Sequence, residues 1–188
     1  MPSGKKHSNM DQTEISNLSD GFTVMLAEPG DTSALLSMLK DVDEWLLRRG
    51  IEPGVPPRPI DDIIADRIAL GKLYVARLEG TAGEIVGTIT LEWTDDGVWG
   101  DRHPTDDACY VHGLATRRTR ASQGIGLALL RWAEVYARAR GKGYLRLDCD
   151  GNNRALRAYY TDRAGLVYCG DVDMPTHFAS RFEKHLEE

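Results

Sequence analysis

The run between residues 109 and 149 constrains this chain most. A strand-like stretch, 109–115, ends in an arginine-rich turn. Gly124 and Gly126 then open a long amphipathic pattern that continues to about residue 140. Leu129, Leu130, Ala133, Tyr136 and Ala137 share one face of it at helical spacing. Gly141-Lys142-Gly143 stops the helix, and 144–149 reads as a strand again. Two strands joined by so long a helix do not form a hairpin. They lie parallel in one sheet, with a right-handed crossover between them. A sheet holding such a unit is covered by helices, which commits the chain to mixed α/β architecture.

The flanking patterns extend this unit. Residues 22–28 alternate apolar and polar and read as a strand. After the break at Pro29-Gly30, Asp31 or Thr32 caps a helix with Leu35, Leu36, Leu39, Val42, Leu46 and Leu47 at helical spacing, ending at Gly50. Pro53, Pro56, Pro57 and Pro59 make a stiff, extended connection. A short helix follows over 60–70, with Ile60, Ile63, Ile64 and Ile68 on one side. Strands at 72–78 and 84–93 form a hairpin. Residues 94–107 are Asp- and Gly-rich and read as a loop. A helix from Asn152 or Asn153 runs to about residue 164, and late strands cover 166–170 and 178–185. The order is β-α-α-β-β-β-α-β-α-β-β, which predicts a mixed sheet with helices on both faces. Residues 1–21 read as a disordered leader and 22–188 as a single domain.

Composition narrows the function classes. Lys and Arg number 23 against 29 Asp and Glu, a net charge of -6. A general nucleic-acid binder is usually basic, so nucleic acid is not an expected partner. No run approaches the ~18 apolar residues of a membrane span. Lys5 and Lys6 precede no apolar segment, so the N-terminus is not a secretory signal and a cytoplasmic protein is expected. Cys109, Cys149 and Cys169 are odd in number and widely spaced. They read as small buried hydrophobes, not as a disulfide framework or a zinc site, and no metal is expected.

The glycine turn carries the clearest chemistry. The first N–H groups of a helix have no helical partner and suit a phosphate, and glycines let a ligand approach the backbone. Arg117, Arg118 and Arg120 precede the turn and Arg131 follows it, a cationic patch on an acidic chain. The expected ligand is a small polyanion. A P-loop needs Gly-Lys-Ser/Thr, but Leu127-Ala128 follows Gly126. A dinucleotide fingerprint needs a small residue where Leu129 stands, and it follows the first strand, not the fourth.

These residues resemble the GNAT superfamily of acetyl-CoA-dependent N-acetyltransferases. The likeness rests on Ala121-Ser122-Gln123-Gly124-Ile125-Gly126 opening the long helix. It continues through the strand at Leu145-Arg146-Leu147-Asp148-Cys149, then Asn152-Asn153, Tyr159-Tyr160 and Gly165-Leu166. It implies an α/β (α+β) fold with a mixed, mostly antiparallel central sheet of about seven strands. It implies acetyl-CoA as cosubstrate and direct transfer of its acetyl group to a primary amine. Backbone groups of Leu114, Ala115 and Thr116 would pair with pantetheine, in a splay between the strands at 109–116 and 144–149. Amides of Gln123, Gly124, Ile125, Gly126 and Leu127 would hold the pyrophosphate. Arg117, Arg118 or Arg120 would meet the outer phosphates, and Asn153 the pantetheine. Three departures stand out. Ala121 takes a position where Gln or Arg is usual, Leu166 replaces a Phe, and the step from Tyr160 to Gly165 is one residue longer than is common. The first keeps open a non-catalytic acyl-CoA-binding regulatory module.

Amine acetylation needs a base for the amine and an acid for the departing thiolate. Tyr160 and Tyr159 are the candidate acids, and adjacent helical positions point about 100° apart, so one of them faces the sulfur. Glu92 and His112 are the candidate bases, with Asp148 and Asp150 behind them. The acceptor is expected between the proline-rich loop, the 94–107 loop and the C-terminal strands, where Trp45, Trp93 and Trp99 and Asp95, Asp96, Asp101, Asp106 and Asp107 gather. An acidic rim suits a cationic amine, on a small molecule or a peptide. A late edge strand leaves a homodimer open.

Overall fold

A computed structural model describes residues 16–18 and 21–186, apart from Val55, His103, Thr105, Thr176 and His177. Eight strands form one sheet in the order β1-β2-β3-β4-β5-β6-β8-β7. They are β1 (Ser16–Leu18), β2 (Phe22–Leu26), β3 (Leu73–Leu78), β4 (Ile85–Glu92), β5 (Ala108–Thr116), β6 (Tyr144–Asp150), β7 (Val167–Asp173) and β8 (Phe178–His185). The β5–β6 pair is parallel and every other neighbouring pair is antiparallel. This is the mixed, mostly antiparallel sheet the sequence implies. The additional strand is β1, which pairs with β2. It lies within the segment read as a disordered leader and corrects that reading for residues 16–18; residues 1–15 lie outside the described residues.

Helices cover both faces. On one, α1 (Thr32–Leu47) and α2 (Ile60–Ala69) bury Leu35, Met38 and Ile64 against Leu73, Val75 and Ile85. On the other, α4 (Ile125–Arg138) buries Ile125, Leu129, Leu130, Trp132 and Ala133 against Val24, Ala76, Val86 and Ile89. The alternation of Val75 and Ala76 to opposite faces follows from the two-residue period of a strand. Cys109 and Cys149 are buried free thiols. Among the described residues no helix is long and apolar enough to cross a membrane.

Two segments depart from their expected form. The 94–107 loop contains a short helix, α3 (Asp96–Trp99), with Asp95 as its N-cap. Trp99 is fully buried and anchors it. The second departure is the helix expected to about residue 164. It begins as α5 (Arg154–Ala158) and widens into a π-helical turn, Tyr159–Arg163. That turn absorbs the extra residue before Gly165, since a π turn takes one more residue than an α turn.

Arg146 ties the 94–107 loop to the sheet. It is 1% exposed and donates to Glu183 at 2.6 Å, Pro104 O at 2.8 Å and Arg102 O at 3.1 Å. Arg181 reaches Asp101 at 2.6 Å. The Gly143 N–H donates to Asp107 at 2.7 Å. The expected acidic rim is corrected in part: Asp101 and Asp107 fix the loop, and Trp99 is core. Glu183→Gln leaves the buried Arg146 charge without its counter-ion. A loss of about 3 kcal/mol is expected, read as a lower urea midpoint at unchanged slope.

Candidate active site

The site begins with a defect in β5. Thr88 pairs with Ala115 but Thr90 pairs with His112, so β5 holds one more residue than β4 across the same stretch. This is a β-bulge, and Gly113 within it has φ +56°. Few residues with a Cβ adopt that backbone, and one here would also lie 3.3 Å from Arg67 Nη1. A bulge bends and twists its strand. Below it, β5 pairs with β6 from Ala108↔Tyr144 to Val111↔Leu147, and there the pairing ends. Beyond it, β5 stays with β4 as far as Thr116, while β6 stays with β8 as far as Asp150. The two strands part between the segments where the family resemblance implies a splay.

A cleft of about 410 Å³ occupies the gap. It passes through the sheet. Leu46, Ile51 and Pro53 line it from the α1 side, and Asn153, Leu156 and Tyr160 from the α5 side. His112, Gly113 and Leu114 of β5 face Asp148, Cys149 and Asp150 of β6 across it. Ala115 belongs to a hydrogen-bonded rung with β4, because the Arg117 N–H donates to Val86 O and rungs alternate. The backbone groups of Thr116, and of Leu114 across the bulge, therefore turn to the gap. Those of Ala115 turn away from it, which removes Ala115 from the set expected to meet pantetheine.

At one end of the gap α4 begins. Gly124 is its N-cap at φ +79°, with no side chain capping it. The first helical bond runs from Ala128 N–H to Gly124 O, so Ile125, Gly126 and Leu127 keep N–H groups without a helical acceptor. Ser122 has φ +67°, an unusual backbone for a residue with a Cβ. A Cβ on Gly126 would sit 3.1 Å from the Tyr159 hydroxyl, so the glycine keeps this corner open. Gln123 is exposed beside it.

The arginines before α4 are less free than their number implies. Glu84 lies 3.0 Å from Arg120 and 3.6 Å from Arg117, whose Nε also donates to Ile85 O. Arg118 stacks on Trp45, 3.7 Å from the ring centroid. Burial and the nearby Arg49 lower its pKa. Sequence reasoning missed Glu84. It is far from the arginines along the chain, and only the β4–β5 register brings them together. Arg163 is also new: it lies with Arg131 around Tyr159, where both oppose the burial that raises that hydroxyl's pKa.

The tyrosines separate. Tyr160 is 5% exposed, lines the cleft and packs on Phe182. Burial raises its pKa well above 10. Tyr159 turns to Gly126 instead. His112 lines the cleft, and its Nε2 lies 3.7 Å from Asp95 Oδ2, a buried oxygen with no hydrogen-bond partner among the described residues. Asp148 comes within 4.8 Å of both. Glu92 does not join them. It is held by Lys72 at 3.1 Å and lies outside the cleft lining, which corrects its place among the candidate bases. Asn153 caps α5 through the Leu156 N–H at 3.1 Å and lines the cleft as well.

A profile of the acetyltransferase (GNAT) family matches residues 39–166. An uncharacterized N-acetyltransferase, YesJ, of Bacillus subtilis (strain 168) is 30% identical over 177 residues, 92% of this chain and 95% of that protein. A GNAT-family acetyltransferase structure from Listeria monocytogenes superposes with a TM-score of 0.68 at 24% identity, over 88% of this chain and 95% of that one. One from Streptococcus agalactiae reaches 0.73 at 16% identity, over 89% and 97%. With this match over most of its length, and with the parted strands and open helix start in place, the chain belongs to the GNAT acetyltransferase family and is an N-acetyltransferase.

Proposed function

We propose that the chain uses acetyl-CoA and transfers its acetyl group directly to a primary amine of a small molecule or peptide. The observation that carries this reading is the parting of β5 from β6 beside an uncapped helix start, with Tyr160 in the wall of the gap. The residues fit the cosubstrate. The gap offers backbone groups of Leu114 and Thr116 to an extended amide-bearing arm. The N–H groups of Ile125, Gly126 and Leu127 offer an anion site for a pyrophosphate. Gln123, Gly124 and the arginines stand at its outer edge.

Acetyl-CoA supplies an activated acyl carbon and a thiolate leaving group. The chain's own residues move the protons and hold the charge. The Leu114 N–H, turned to the gap, polarises the acyl oxygen. His112 takes a proton from the incoming amine, with Asp95 orienting the imidazole. Tyr160 gives its proton to the departing sulfur. Its hydroxyl carries a proton at neutral pH, as a phenol ordinarily does, and burial raises its pKa further. Glu52, Asp148 and Asp150 line the cleft with no lysine or arginine, so the amine arrives in a negative field.

Calorimetry tests the cosubstrate: acetyl-CoA binds the wild type, and Gly126→Val weakens binding at least ~10-fold by filling the corner beside Tyr159. Tyr160→Phe lowers kcat by about 10²–10⁴-fold while the acetyl-CoA Kd stays within about twofold. A non-catalytic acyl-CoA-binding module has no turnover to lose. The pH profile gives a further check. A raised tyrosine loses its proton only above its ordinary value, so kcat of the wild type shows no Tyr160-dependent fall between about pH 8 and 10. A fall there that Tyr160→Phe abolishes counts against the assignment.

A further inference from the structure

Arg67 stands where the pattern of α2 calls for an apolar residue. It follows Ile60, Ile63 and Ile64 at the spacing that turns those side chains to the sheet, and Ile68 comes next. Its guanidinium lies over the bulge, 3.3 Å from where a Cβ of Gly113 would be. Burial lowers its pKa, and Glu92 opposes this from a distance while engaged with Lys72. No carboxylate of a described residue lies within 4 Å of it. A half-buried guanidinium without a counter-ion is costly unless something pairs with it. Beside it is a second cavity of about 100 Å³, walled by Leu35, Leu39, Ile64 and Leu73, with Thr88 and Thr90 at its floor. That is room for a few heavy atoms. Gly113 lines both this cavity and the main cleft.

We propose that Arg67 and this second cavity form the acceptor's anion subsite, so that the preferred acceptor is a small amino acid carrying its carboxylate close to the reacting amine. The inference rests on the acetyl-CoA-dependent reading above and deepens it. His112 and Gly113 are consecutive and both line the cleft, so the base for the amine and the guanidinium over Gly113 border the same acceptor position. The carboxylates of the cleft draw the ammonium. Arg67 takes the carboxylate, and the apolar wall takes a short aliphatic side chain. Thr90 Oγ1, 3.7 Å from the same Cβ position, stands beside that carboxylate.

The test is a thiol-release assay with the twenty L-amino acids and their carboxamides as acceptors, beside calorimetry with acetyl-CoA on the same protein. At least one short aliphatic amino acid is expected to exceed its carboxamide by about 10- to 100-fold in kcat/KM, the worth of a hydrogen-bonded charge pair. Arg67→Gln brings that ratio close to one, mainly by raising KM for the acid, and Arg67→Lys restores part of it. A structural arginine would not move the ratio. Equal rates for acids and carboxamides, no turnover of any amino acid, or a ratio unchanged in Arg67→Gln overturns the proposal. If Arg67→Gln does not fold, the Arg67→Lys ratio and the wild-type preference decide. Absence of acetyl-CoA binding by the wild type overturns the underlying reading instead, whereas binding with acetylation of uncharged amines alone overturns only the anion subsite.

Discussion

The β5 bulge at Gly113 is the constraint from which the rest of the site follows. One extra residue bends and twists β5, and beyond this point the strand keeps one of its two neighbours. It stays with β4, and the unsatisfied edge faces a gap through the sheet. Leaving backbone polar groups unpaired in a protein interior is costly, so such a gap is stable only where water or a ligand reaches it. The cleft lined by both strands provides that access. The glycine supplies the positive φ, and Arg67 approaches it closely. Backbone geometry and acceptor chemistry therefore meet at one residue.

The second organising feature is the distribution of charge. The chain is acidic overall, yet most of its charged groups near the site answer one another. Glu84 meets Arg117 and Arg120, Asp101 meets Arg181, and Glu183 meets Arg102 and Arg146. Glu52, Asp148 and Asp150 line the cleft. Arg67 is the opposite case, a cation where the helix pattern wants an apolar side chain. The field an acceptor meets is set by these residues and not by the net charge.

The π turn illustrates how a spacing irregularity becomes geometry. In a regular helix, Tyr159 and Tyr160 would already point about 100° apart. The wider turn accommodates the extra residue, and the two hydroxyls go to different places: Tyr160 to the cleft, Tyr159 to the corner at Gly126. The wider turn is held by bonds from Ala164 N–H to Tyr159 O and from Leu166 N–H to Tyr160 O. The sequence carries the irregularity as a miscount, and the helix form gives it meaning.

The element order, both helical faces and the parallel crossover were legible from periodicity and from the glycine turn, because each rests on local preference or on the strand and helix periods, whereas the splay was implied by the family resemblance. The resemblance to the family was legible for the same reason, since its motifs are contiguous runs. What tertiary structure alone decided were pairings across sequence distance. Glu92 went to Lys72 and left the candidate bases, Glu84 took the arginines, and Asp95 came to stand behind His112. Asp101 of the acidic loop went to Arg181, and Asp107 to the Gly143 N–H. The strand at Ser16–Leu18 had too few residues to show a period and needed the edge of β2 to define it. Charge pairs and sheet edges depend on register between distant segments, and a one-dimensional pattern holds the residues but not the register.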